Sequence, residues 1–118
     1  MATSINSSGV TFPDATTQTT AASTNGSAKA WVNWTGNSTI NAAYNVSSIT
    51  KGGTGNYTIN FTNAFADTAY CETQGTWEYQ RGWTGAYTKL AGSFQFEMHN
   101  TANGSPIDMS YGNFAFFR

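Results

Sequence analysis

Charge is what this chain has least of: five cations and six carboxylates in 118 residues, for a net charge of −1. So sparse and balanced a set builds no basic surface. It therefore excludes nucleic-acid binding driven by counterion release and any partner held mainly by a strong field. Cysteine is nearly absent as well. Cys71 stands alone, so no internal disulfide and no cysteine-based zinc site can form, and the thiol is expected to be a small buried hydrophobe. No apolar run is long enough to span a bilayer, and Met1-Ala2-Thr3-Ser4-Ile5-Asn6 leads into polar residues rather than a secretory apolar core. The expectation is a soluble protein, made in the cytoplasm, with no membrane insertion.

Thr, Asn, Ser and Gly fill 54 of the 118 positions, which would suggest disorder but for one feature. Aromatic residues make up 15% of the chain, enough to place a large buried area in few side chains and so to build one small domain.

The chain divides at residue 27. Apart from Met1, residues 1–27 carry Ile5, Val10 and Phe12 as their only large apolar side chains and cannot form a core alone. They are expected to be an extended docking and trimerisation segment, with these three residues packed on sister chains or a fibre. Phe12-Pro13-Asp14-Ala15-Thr16 reads as a turn, Pro setting φ and Asp free to accept from the amide two residues on.

From residue 28 to 118 the period is two, which predicts strands. Ala30, Val32 and Trp34 share a face; Ile40, Ala42, Tyr44 and Val46 alternate with Asn41, Ala43, Asn45 and Ser47. Gly52-Gly53-Thr54-Gly55 joins a hairpin whose second strand turns Tyr57, Ile59 and Phe61 inward. Residues 69–79 alternate more weakly, with Cys71, Trp77 and Tyr79 opposite Glu72, Gln74 and Glu78. Phe94, Phe96 and Met98 face in, a turn follows at residues 100–106, and residues 107–111 read as a further strand. Phe114 and Phe116 fall one step out of phase with Tyr111, which a bulge at Gly112-Asn113 would repair. Six to seven antiparallel strands with Gly/Asn turns predict an all-β sandwich.

Two stretches carry a resemblance. Gly9-Val10-Thr11-Phe12-Pro13-Asp14-Ala15-Thr16-Thr17-Gln18-Thr19-Thr20-Ala21-Ala22 resembles a short FPDxTxQTTA segment of bacteriophage tail-fibre and other virion-appendage proteins. Ala28-Lys29-Ala30-Trp31-Val32-Asn33, residues 43–50, residues 53–61 and Asn103-Gly104-Ser105-Pro106-Ile107-Asp108 resemble the C-terminal tip domain of the same proteins. The resemblance implies a virion surface protein: a homotrimer at the end of a tail fibre or spike, in contact with other tail or fibre proteins and with a host surface glycan or protein. Family members often carry a long shaft. The short tail here leaves open a separate decoration or assembly protein without receptor binding, and a free lectin-like carbohydrate-binding module is the further alternative.

The family resemblance does not reach the segment around Tyr79-Gln80-Arg81-Gly82-Trp83-Thr84-Gly85-Ala86-Tyr87-Thr88-Lys89, so no binding residue is implied by it. The residues themselves suggest one: aromatic faces beside cations and amides, without β alternation, suit a surface glycan. Arg81, Trp83, Tyr87 and Lys89 are the expected receptor contacts, against the alternative that the segment folds back and caps the sandwich; the turns at residues 35–38 and 100–105 are the other places for a site.

No enzyme is expected. Asp14, Asp67, Glu72, Glu78, Glu97 and Asp108 are the acids available. None forms a pair by spacing, Glu72, Glu78 and Glu97 read as outward, and no nucleophile motif or cofactor site appears. His99 reads as a solvated surface imidazole, although three copies at a trimer axis would supply three metal ligands. Eight Asn-X-Ser/Thr triplets occur; at Asn33, Asn56 and Asn60 the middle residue is aromatic, as outward Asn and Thr in strand alternation produce without glycosylation.

Overall fold

Alternation becomes strand wherever the chain can bury one face. The computed structural model describes residues 2–7, 9–18, 27–76, 78, 81–83 and 88–118, and every regular element among them is a β-strand. In chain order these are β1 (Ser4–Asn6), β2 (Gly9–Thr11), β3 (Thr17–Gln18), β4 (Ala28–Thr35), β5 (Thr39–Tyr44), β6 (Val46–Gly53), β7 (Asn56–Phe61), β8 (Cys71–Gly75), β9 (Arg81–Trp83), β10 (Thr88–Leu90), β11 (Ser93–Asn100) and β12 (Tyr111–Phe117). From β4 onward they form an antiparallel sandwich. One sheet has the order β5-β4-β12-β8; the other runs β10-β11-β7-β6, with β9 paired to the second half of β11. β9 and β10 are each three residues long, too short to leave a period in the sequence.

Between the sheets lies an aromatic core. Ala30, Val32 and Trp34 of β4, Tyr57, Ile59 and Phe61 of β7, Phe94, Phe96 and Met98 of β11, and Phe114 and Phe116 of β12 are all buried. Phe96 meets Phe114 across the sheets at 4.7 Å between centroids, and Phe61 meets Phe116 edge-on at 5.0 Å. Contacts of this kind add about 0.5–1.5 kcal/mol each beyond the area they bury. Trp34, fully buried near the end of β4, stacks on Phe114.

Three phase assignments need correction. Tyr111 is 43% exposed and simply faces outward, so no bulge occurs at Gly112-Asn113; the register holds from Tyr111↔Thr35 through Phe116↔Ala30. Gly112 takes the inner position opposite Trp34, where a Cβ would lie 2.1 Å from the indole. On β5 the expected inward set is broken, because Asn41 is an extra residue between the pairs Trp34↔Ile40 and Asn33↔Ala42. Ile40 and Ala43 therefore pack on the core, while Tyr44 is 58% exposed. On β8 the facing is reversed. Cys71 is exposed, and Glu72 and Gln74 turn toward the sandwich, Glu72 to the Lys89 ammonium and Gln74 with its amide donating to the Met98 sulfur at 3.5 Å; Trp77 and Tyr79 lie outside the described residues.

The two edges of the sandwich are closed differently. At one edge Asn45, with φ 54°, carries the chain from β5 to β6. Its amide donates to the carbonyls of Lys29 and Asn63 and its oxygen accepts from Asn63 N–H at 2.7 Å. At the other edge Lys89 of β10 bridges to Glu72 of β8 at 2.6 Å.

Residues 4–18 form a separate antiparallel meander, β1-β2-β3. The expected turn is present: Ala15 N–H donates to Phe12 O, Phe12 N–H to Thr16 O, and Asp14 accepts from Thr16 N–H at 3.0 Å and from its hydroxyl at 2.6 Å. Ala15 has φ 66°, the left-handed residue that follows a type I turn in a three-residue hairpin loop. Ile5 pairs with Val10 across β1 and β2, yet Ile5 is 81% exposed and Phe12 39%.

Candidate functional site

Antiparallel strands alternate direction, so the β4–β5, β6–β7 and β11–β12 connections all fall at one end of the sandwich. There they enclose an open depression of about 840 Å³. Its walls are tied together by backbone bonds: Gly36 N–H to Ser110 O at 2.9 Å, Met98 N–H to Gly55 O at 2.8 Å, and Ile107 N–H to Met98 O at 2.9 Å. Thr54-Gly55 is the tight loop of the β6–β7 hairpin. Gly55 has φ +72°, and a Cβ there would lie 2.5 Å from Met98 O, so only glycine permits this approach. Residues 107–110, expected as strand, are irregular instead, because Asp108 and Met109 have tasks that a ladder would not allow. Met109 is buried, and its N–H donates to the Tyr57 hydroxyl at 3.0 Å.

Asp108 organises the cleft. One carboxylate oxygen meets Lys51 Nζ at 2.7 Å and the other accepts from Gly55 N–H at 2.8 Å. The Lys51 ammonium, and then the Gly55 amide, hold the Asp108 carboxyl below the usual carboxylate range; Asp108 raises Lys51 in return. Lys51 also donates to the Asn37 amide oxygen at 3.3 Å. Burial pushes the Tyr57 phenol up. Beside this ion pair stand Thr35, Thr54 and Ser110 and the exposed ring of Tyr111. The arrangement offers donors, acceptors and one apolar face in a charge-balanced cleft, chemistry that suits a polyhydroxylated ligand.

Of the four residues expected to contact a receptor, Lys89 is the one whose side chain is described. Tyr87 lies outside the described residues, as do the side chains of Arg81 and Trp83. The backbones of these two are placed: Arg81 pairs with Asn100 and Trp83 with Met98, so β9 borders the cleft end. Lys89 pairs with Phe94, four residues or roughly 13 Å away along β11. Its ammonium is engaged with Glu72, with Tyr70 O at 3.0 Å and with the Tyr70 ring at 5.3 Å. Tyr70 in turn donates to Leu90 O and Ser93 O, and burial, with Glu72 nearby, pushes its phenol up to about 12. Lys89 thus latches the two sheets.

The remaining candidates have structural partners too. Glu78 accepts Ser110 N–H with both oxygens at 2.9 Å, and Asp67 forms a two-point pair with Arg118 at 2.9 and 2.8 Å. His99 meets Glu97 at 2.7 Å and Gly104 O at 2.8 Å, so both ring nitrogens are engaged. Among the described residues no group of three or more His, Cys, Asp or Glu could hold a metal, and no helix is long and apolar enough to cross a membrane. Sequence reasoning had noted the turn at residues 35–38 but missed Lys51, Asp108 and Tyr111. Counting strand directions from the hairpin onward is the signal that would have put these loops at one end.

No family model, no curated protein and no solved structure matches this chain.

Proposed function

We propose that this chain is a non-enzymatic structural protein of a phage virion, the tip domain of a homotrimeric tail fibre or spike that attaches to a host surface glycan. The observation that supports this reading is the polarity of the sandwich. The N-terminal segment joins at Ala28, next to Phe117, whereas the cleft opens beyond Thr35, next to Tyr111. These ends lie seven residues, or roughly 23 Å, apart along β4. One end therefore serves docking and the other is presented outward. Ile5, Val10 and Phe12 on the meander offer the apolar contact to sister chains or fibre, and the tail-fibre resemblance supplies the virion context. Within this reading the receptor contacts are Asn37, Lys51, Asp108 and Tyr111, with β9 at the margin, in place of the group containing Lys89. Three copies would raise attachment strength through effective concentration.

Sedimentation at micromolar concentration should give a trimer, and excess free protein should compete with virions for adsorption. Asn37→Ala with Tyr111→Ala should leave the trimer intact and weaken adsorption at least roughly tenfold, about 1.4 kcal/mol. Deleting residues 1–22 should spare the folded body and abolish incorporation into particles. Normal incorporation of the truncated chain would remove the docking role, and a monodisperse monomer that still bound glycan would favour a free lectin-like module.

A further inference from the structure

We infer that the outer face of the β5-β4-β12-β8 sheet is a platform for a neutral polysaccharide chain, continuous with the end cleft. The inference rests on the attachment reading above and names its ligand as a polymer rather than a terminal sugar. Three of the large apolar side chains exposed among the described residues lie on this face: Trp31 at 40%, Tyr44 at 58% and Tyr111 at 43%. Trp31 and Tyr44 are cross-strand partners, and Tyr111, opposite Thr35, lines the cleft. Four residues of β4 separate the two aromatic positions, roughly 13 Å, longer than one sugar ring and suited to a short run of them.

Between the aromatics runs an oriented chain of amides. Thr35 Oγ1 donates to Asn41 Oδ1 at 3.3 Å, Asn41 Nδ2 to Asn33 Oδ1 at 2.9 Å, Asn33 Nδ2 to Asn113 Oδ1, and Asn113 Nδ2 to Gly75 O at 3.4 Å. The row crosses all four strands, and each amide is held by its neighbour, which pre-organises and polarises the donors and acceptors it still shows to solvent. No charged residue belongs to it, and the charged side chain on this face of β4, Lys29, lies beyond Trp31 at the end away from the cleft, so an acidic polymer would find no row of counter-charges along the amides.

The same face fits a second protein copy less well. Stable protein interfaces place apolar residues at the centre and polar ones at the rim; here amides hold the centre and aromatics the two ends. The opposite outer face is an internal control. It also has amide rows, Asn60 Nδ2 to Ser48 Oγ at 3.1 Å and Gln95 Nε2 to Asn56 Oδ1 at 3.1 Å, but among the described residues its exposed large apolar side chain is a single aliphatic one, Leu90 of β10 at 55%, and none is aromatic.

The test uses the full chain on a printed panel of neutral glucans, mannans and galactans and of acidic polygalacturonate and polysialate, followed by calorimetry with size-fractionated oligomers of the best binder. Binding should be confined to neutral members and strengthen at least tenfold from disaccharide to hexasaccharide. Trp31→Ala, Tyr44→Ala and Asn41→Ala should each abolish most of that gain while leaving disaccharide binding in the cleft unchanged. Preference for acidic polymers, affinity independent of length, or variants that bind like the parent would overturn the inference. So would a change in sedimentation on Trp31→Ala or Tyr44→Ala, which would make the face a contact between copies. If nothing on the panel binds but free protein still blocks virion adsorption, the polysaccharide inference falls and the attachment reading stands; if it does not block adsorption, the attachment reading falls as well.

Discussion

Residues 4–18 and residues 28–118 draw on the same Thr, Asn, Ser and Gly-rich vocabulary, and both fold as antiparallel strands. They are held by different forces. In the meander the turn is specified by local bonds: Pro13 sets φ, Asp14 binds Thr16, and Ala15 accepts a left-handed backbone. Among the described residues no hydrophobic face backs these strands, and an isolated sheet this small is marginal in water. In the sandwich, an apolar side chain at every second residue, many of them aromatic, is enough to fill the space between two sheets. Local chemistry can set a shape, but only a shared core sets its stability.

The comparison breaks most visibly at the core. Phe96→Ala removes a fully buried ring and should cost about 3–5 kcal/mol. Gly112→Ala pushes a methyl into Trp34 and should cost about 1–3 kcal/mol or more. Both should appear as a lower denaturation midpoint of the sandwich with the meander turn unaffected. Near-native stability for Gly112→Ala would mean that Trp34 moves freely, against the close packing described above.

Tyr57→Phe comes next. It removes the hydroxyl that accepts the buried Met109 N–H, leaving that donor unpaired at about 1–3 kcal/mol. Because Met109 anchors the residues 107–110 connection, hydrogen exchange should accelerate there before it does elsewhere in the sandwich.

Acid should act on the sandwich through Asp67 and Asp108. Arg118, and then the Ala69 amide, hold Asp67 at about 2, and Lys51 holds Asp108 below its usual value. Folded values lower than unfolded ones mean stability that is fully present above the unfolded carboxyl pKa of about 3.8–3.9 and lost as pH falls through the folded values. Melting temperature should therefore decline on acidification from about pH 5 to about pH 2. Asp67→Asn should flatten part of that decline, and an unchanged acid limb would show that the Arg118 pair contributes nothing measurable.

The smallest effects belong to the meander. Removing residues 1–22 should shift the melting temperature of the sandwich by less than about 2 °C, since none of the described residues among them enters the core. Ala15→Gly should favour the hairpin by up to about 1 kcal/mol by relieving the left-handed strain, read from amide exchange at positions 12 and 15. A large loss of sandwich stability in the truncated chain would erase the distinction between the two regions.

What the sequence determined by itself was periodicity and local turn chemistry. The inward faces of β4, β7 and β11, the Phe12-Pro13-Asp14-Ala15-Thr16 turn and the β6–β7 hairpin follow from side chains two apart and from Pro, Asp and Gly at fixed offsets. Tertiary structure decided everything that depends on a partner distant in the chain. Glu72 faces inward because Lys89 reaches it from the other sheet, Gly112 is glycine because Trp34 lies opposite, and Asn41 bulges so that Ile40 and Ala43 both meet the core. The cleft is of the same kind: Lys51 and Asp108 stand 57 residues apart in sequence, and only strand direction and sheet pairing bring them within 2.7 Å. A period reports which side of its own strand a residue occupies, while its neighbours across the sandwich are set by packing.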